Sequence, residues 1–167
     1  MHDTYSVKFD SNIPIKLRDG TITYADVCRP NTTGRFPALL HRTPYNKSGP
    51  TTHSYSLDCI RAAETGYAVV MQDVRGRYSS EGQFTTFHNE LDDGHDSVEW
   101  AAAQPWCDGK VGMYGDSYVG ATQWLAASRK PPSLMAMAPG VTASNYHDGW
   151  TYQGGAYELA FNLNWAL

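Results

Sequence analysis

A serine that attacks a carbonyl needs an exposed hydroxyl on a rigid support, and the stretch 110–128 has the residue types to build one. Val111 to Tyr114 is a short apolar run of strand character. Gly115-Asp116-Ser117 then turns the chain, and Ala121, Trp124, Leu125 and Ser128 follow at i, i+3, i+4 and i+7, the spacing of a helix. A serine at the tip of a tight strand-to-helix turn presents its hydroxyl as a nucleophile for acyl transfer. Such a turn is strained and brings the helix back close to the strand, so it needs small neighbours. Gly115 and Gly120 supply that room. Val119 stands where the usual form of the turn has its second glycine. Taken by itself, the motif describes an ordinary Gly-Ser turn as well.

The elements that must position this serine are legible along the chain. Residues 5–29 alternate as strands do: Ile13, Ile15 and Leu17 share a face, Asp19-Gly20 turns, and Ile22, Tyr24 and Val27 lie on the return strand. Phe36 to His41 is a nearly continuous apolar run, as expected of a buried strand, and leads into the loop Arg42-Thr-Pro-Tyr45-Asn-Lys47. His53 to Thr65 is predicted to be a helix that stops at Gly66. Tyr67 to Asp73 is a second buried strand, followed by the loop Val74–Phe84. An acidic helix of about 15 residues should start near Asn89, with Leu91, His95, Val98 and Ala102 inward. Pro131-Pro132 stop the helix after Ser117, Leu134 to Pro139 is one more short strand, and 155–167 opens an amphipathic helix. Strands alternating with helices from residue 36 predict an α/β fold with a mostly parallel, doubly wound sheet and an antiparallel N-terminal ribbon. Sites in such sheets form beyond the carboxyl ends of the strands. Loops 42–47, 74–84 and 115–119 all emerge there.

Composition narrows the class of function. The 167 residues fit one globular domain, with 11 Tyr, 5 Trp and a net charge of −4. Lys and Arg are scattered, which argues against a nucleic-acid partner. No apolar run approaches membrane-spanning length, and the first residues lack a signal-peptide pattern. Cys28, Cys59 and Cys107 are read as free thiols of a reducing, cytoplasmic setting.

Taken as an ordered set, four stretches resemble the X-prolyl dipeptidyl-peptidase and cocaine-esterase (CocE/NonD) family of serine hydrolases. They are Arg42-Thr-Pro-Tyr45-Asn-Lys47; Asp73-Val-Arg-Gly76 with Ser80-Glu-Gly82; Asp93 to Trp100 with Ala103-Gln-Pro-Trp106; and Gly115-Asp-Ser-Tyr-Val-Gly120. The family writes its serine turn as Gly-x-Ser-Tyr-x-Gly, so Val119 is no departure there. The resemblance implies an α/β-hydrolase fold, with residues 1–145 the N-terminal part of a catalytic domain and 146–167 the start of a helical cap. It implies Ser117 as nucleophile, with the Tyr118 backbone N–H and the Tyr45 phenol as the two oxyanion donors. It implies no cofactor and no metal, and a small ester, amide or peptide as substrate.

Two members of a triad are not found. In α/β-hydrolases an acid and then a histidine follow the serine. After Ser117 the sole histidine is His147, and Asp148 and Glu158 come after it. The expectation is therefore a front portion of a longer hydrolase, with the remainder in the same or a second chain, and homo-oligomers left open. Its activity would be that of an acyl esterase, an X-prolyl dipeptidyl-peptidase or an α-amino-acid ester hydrolase. The rival from another class is a non-catalytic or complementing fragment.

Other residues have plainer readings beside the chemical ones. Asp116 is a turn residue, while Asp73 and Arg75 fix their loop through an ion pair or backbone hydrogen bonds. Glu90, Asp92, Asp93, Asp96 and Glu99 form a solvated face near a helix N-terminus rather than a metal site. His95 is a hydrogen-bonded core histidine, His41 borders the site, and His147 is an alternative base. Asp148 could hold a substrate ammonium, as acids just past this strand do in the α-amino-acid ester hydrolases. Trp150, Tyr152 and Tyr157 are cap core or pocket lining, with Trp150 the candidate substrate contact.

Overall fold

The structure is a computed structural model that describes residues 4–49 and 57–166. β1 (Val7–Lys16) and β2 (Ile22–Pro30) form the expected antiparallel hairpin, closed where Gly20 donates its N–H to the Leu17 carbonyl at 2.9 Å. β3 (Phe36–Thr43), β4 (Ala68–Asp73), β5 (Cys107–Asp116) and β6 (Leu134–Gly140) follow. They join one six-stranded sheet in the order β1-β2-β4-β3-β5-β6. The β4–β3, β3–β5 and β5–β6 pairs are parallel, and β2 meets β4 antiparallel. This is the α/β-hydrolase sheet with its antiparallel N-terminal strands.

Helices cover both faces. α1 (Cys59–Glu64) packs on β2 and β4 around Cys28, Cys59, Ala63, Val69 and Met71. α2 (Glu90–Ala102) and α3 (Tyr118–Ser128) pack together over Leu40, Val98, Val111, Met113 and Ala126. The three cysteines are buried, and the Cys28 thiol donates to the Cys59 carbonyl at 3.3 Å. α1 begins later than the sequence suggests: Asp58 caps it by accepting from the Ile60 and Arg61 N–H groups, and residues 53–56 lie outside the described residues. β5 is longer than the apolar run Val111–Tyr114 and takes in Asp108-Gly109. Beyond β6 come a two-residue hairpin, β7 (Tyr152–Gln153) with β8 (Ala156–Tyr157), and α4 (Leu159–Ala166).

One helix face is turned from its expected direction. α2 buries Glu90, Asp93, Gly94, Ser97, Val98 and Ala101, so its inward stripe includes two carboxylates. The cause is two cations rising from the sheet side. Arg42 on β3 meets Glu90 at 2.9 Å and Arg75 meets Asp93 at 2.7 Å. Asp92 and Asp96 remain on the outer face with Arg18. His95 is therefore not a core histidine; it sits partly exposed between Arg18 and Asp96. On α3 the stripe of Trp124, Leu125 and Ser128 faces outward, and Val119, Thr122, Gln123 and Ala126 are buried instead.

The two edges of the sheet differ in chemistry. β1 carries Lys8, Asp10, Pro14 and Lys16, the charges and proline that block edge-to-edge pairing. β6 reads Leu-Met-Ala-Met-Ala-Pro-Gly, has no charge and leaves Met135 59% exposed. α4 likewise exposes Leu159, Phe161 and Leu163. Residues 1–167 expressed alone are expected to self-associate through these surfaces. Sedimentation velocity checks this; a monodisperse monomer with a cooperative melt would contradict it.

Candidate active site

β5 ends at Asp116 and α3 starts at Tyr118, so Ser117 alone joins strand to helix. Its backbone sits at φ 59°, ψ −125°, a sparsely populated region for a residue with a Cβ, which costs about 1–3 kcal/mol. Several contacts hold it there. The Ser117 N–H donates to the Gly140 carbonyl at 3.0 Å, and its carbonyl accepts from Ala121 at 3.0 Å. Gln123, fully buried, donates to the Gly115 carbonyl at 2.9 Å and accepts from the Ala138 N–H at 3.1 Å, bracing β5 against β6. Gly115 has φ 125°, and a Cβ there would collide with the Val119 side chain. A Cβ on Gly120 would stand 2.7 Å from Thr142. Both glycines are needed because helix and strand approach so closely.

Ser117 opens into a cavity of about 180 Å³. Its walls include Phe87, Tyr118, Tyr146, Trp150, Phe161 and Trp165. Phe87 stacks on Tyr118 at 4.8 Å, and Trp165 lies nearly parallel to Tyr118 at 6.2 Å. Tyr45 presents its edge to Tyr118 at 6.4 Å, and its phenol oxygen accepts from the Trp165 indole N–H at 3.2 Å. That bond occupies an oxygen lone pair and leaves the Tyr45 proton available for donation.

The Tyr45 loop is pinned from beneath by a buried cation. Lys47 pairs with Asp26 at 3.1 Å and donates to Asn12 at 2.8 Å, and both charged groups are almost fully enclosed. The Lys47 N–H donates to Asp73 at 2.7 Å, and burial pushes the Asp73 carboxyl up despite that bond. Arg77 donates to the Pro44 carbonyl at 3.0 Å. Asp73 also accepts the Ser79 N–H at 3.3 Å, which ties the 74–84 loop to the Lys47 segment. Arg75 reaches across to Asp19 and Asp93 at 2.6 and 2.7 Å.

The structure brings Ser117, Tyr118 and Trp150 to one cavity and sets Tyr45 against its Tyr118 and Trp165 walls. Asp148 lies outside that cavity, 78% exposed and 2.9 Å from His147. No histidine lines the cavity among the described residues. His41 is buried beneath the elbow, its ring 5.1 Å from that of Tyr114. Sequence reasoning missed Gln123 and the cavity walls Phe87, Phe161 and Trp165. The aromatic density of 149–167 pointed to a wall without saying which rings form it.

Ser117 thus stands at a left-handed turn between parallel strand and helix, under an aromatic cavity, and comparison with known proteins shows the family. The family model described as X-Pro dipeptidyl-peptidase (S15 family) matches residues 19–167. The chain belongs to the S15 family. Among its S15 relatives, the cocaine esterase of Rhodococcus sp. (strain MB1 Bresler) is 40% identical over 164 residues, covering 97% of this chain. The chain spans about 28% of that relative's length. A CocE/NonD family hydrolase from Staphylococcus aureus superposes with a TM-score of 0.87 at 27% identity, over 94% of this chain and 32% of that one. An α-amino acid ester hydrolase gives 0.78 at 27% identity, over 95% and 29%. The S15 chain therefore shares the fold of these hydrolases over about a third of their length.

Lys47→Met leaves Asp26 buried without its cation, a loss of about 3–5 kcal/mol. The fall in the urea midpoint of the protein isolated from its source measures it; an unchanged midpoint would mean the pair does not hold the Tyr45 loop.

Proposed function

We propose that this stretch carries the nucleophile and oxyanion hole of a serine hydrolase that cleaves esters through an acyl-enzyme. The observation that carries the reading is Ser117 held alone between β5 and α3 at the floor of the aromatic cavity. Ser117 Oγ attacks the substrate carbonyl, and the oxyanion forms between the Tyr118 N–H and the Tyr45 phenol. One preorganised donor of this kind contributes about 3–4 kcal/mol to the transition state. A histidine beyond the described residues takes the serine proton and returns it to the leaving group; an acid orients that histidine.

The cavity wall favours an uncharged acyl group. Its lining among the described residues is aromatic, with Thr86, Thr151 and Asn162 as polar members and no carboxylate. A dipeptidyl-peptidase or α-amino-acid ester hydrolase must hold a substrate ammonium, and that calls for a carboxylate at the cavity. Asp148, the candidate from the sequence, is on the surface beside His147. An ester with a neutral acyl group suits this wall better, and one relative is named an esterase.

A fluorophosphonate probe applied to the protein isolated from its source, read by intact mass, should label Ser117 in a species heavier than 18.5 kDa. Label in a species of 18.5 kDa would mean that a second chain supplies the histidine, and no label at all would favour a non-catalytic piece. Tyr45→Phe should lower kcat for a p-nitrophenyl ester about 10²–10³-fold with KM little changed. An unaltered kcat would remove Tyr45 from the oxyanion hole.

A further inference from the structure

Glu90 is a buried carboxylate that does not line the Ser117 cavity. It opens α2, and its side chain is 5% exposed. One oxygen pairs with Arg42 at 2.9 Å; the other accepts the Tyr118 phenol proton at 3.0 Å. The same phenol oxygen accepts the Phe87 N–H at 3.0 Å, so the hydroxyl is bonded on both sides. Burying an ion pair is a poor way to gain stability, because well-packed apolar side chains in its place do as well or better. The use of the pair therefore lies in what it orients.

It orients both halves of the oxyanion hole. Tyr118 supplies the backbone N–H beside Ser117, and its ring is the surface against which the edge of Tyr45 and the face of Trp165 rest. Arg42 lies at the end of β3, three residues before Tyr45, and is fixed in turn by Gln72 at 3.0 Å, which donates to Thr23 at 2.7 Å. The Arg42 carbonyl also accepts from Thr122 of α3 at 3.4 Å. A rigid chain of contacts thus runs from the strand that leads to one donor, through Glu90, to the residue that bears the other.

We propose that Glu90 is a positioning residue of the oxyanion hole, its carboxylate fixed by Arg42 and locking the Tyr118 ring so that the Tyr118 N–H and the Tyr45 phenol keep their spacing. The inference rests on the reading of Ser117, Tyr118 and Tyr45 given above. Glu90 makes no contact with the reacting atoms and transfers no proton to them.

The test uses the source protein with p-nitrophenyl acetate and butyrate as probes. Concentrations are set by fluorophosphonate titration, so that only folded, reactive sites are counted. Glu90→Gln keeps the shape and removes the charge; Tyr118→Phe keeps the ring and the backbone N–H and removes the hydroxyl that reaches Glu90. Each is expected to lower kcat about 10–100-fold while KM shifts less than threefold. Each should also be less than additive with Tyr45→Phe, because a hole already out of register gains little from the phenol. A merely structural role would lower the melting temperature and leave kcat per titrated site alone. Values of kcat within twofold of wild type, or losses that multiply fully with that of Tyr45→Phe, would overturn the proposal. Where Glu90→Gln does not fold, Tyr118→Phe decides, since it deletes a single hydroxyl. Full esterase activity in Ser117→Ala would overturn the underlying site reading and the positioning role together; wild-type activity lost in Ser117→Ala but kept in both variants would overturn the positioning role alone.

Discussion

A serine at φ 59°, ψ −125° relaxes unless something grips the backbone on either side of it. Here the grip comes from the sheet. The Ser117 N–H is tied to Gly140 on β6, and Gln123 reaches back from α3 to the ends of β5 and β6. Everything else in the described chain serves that register. The parallel pairing of β3, β5 and β6 sets where the strand ends fall, and α2 and α3 pack over the same face to stop the elbow from tilting. The local distortion is stable because the regular structure around it over-determines it.

Buried charge does the second half of the positioning. Two cations from one segment, Arg42 and Lys47, are almost wholly enclosed and each has a carboxylate partner. Between them lies Tyr45, 38% exposed. An exposed side chain on a short loop would ordinarily sample many orientations, yet this loop is tied down before it and after it. Arg42 faces α2 while Lys47 faces the β1–β2 ribbon, so the loop is stretched between both flanks of the sheet. Burial pushes both Glu90 and Tyr118 towards their protonated forms, with Arg42 opposing the shift at Glu90, and a protonated Tyr118 is the form that donates to Glu90.

The sheet and the elbow were legible because their signals are local. Apolar runs such as 36–41 and 67–73 have no other use than burial, and Gly115-Asp116-Ser117 between a strand pattern and a helix pattern implies a turn. What could not be read were pairings set at long range. Glu90 and Asp93 look like members of a solvated acidic face until Arg42 and Arg75 are seen to rise beneath them from distant segments. The same charges rotate α2, which is why His95 falls beside Arg18 rather than in the core. Hydropathy spacing on α3 marked the helix but not its buried side: the side towards the elbow is occupied by Thr122 and Gln123, polar residues with buried hydrogen bonds, and the bulky Trp124 is left outside.

The bond from the Trp165 indole to the Tyr45 phenol links two properties that are separate in many enzymes. Trp165 helps form the cavity wall and at the same time donates its indole N–H to the phenol beside it. Any replacement that enlarges the cavity at this wall also removes the hydrogen bond that directs the Tyr45 hydroxyl. On the proposed reading, substrate range and catalytic strength are therefore inherited together at this position. Sequence drift towards bulkier substrates would then proceed through the other rings that bound the same space, Phe87, Tyr146, Trp150 or Phe161.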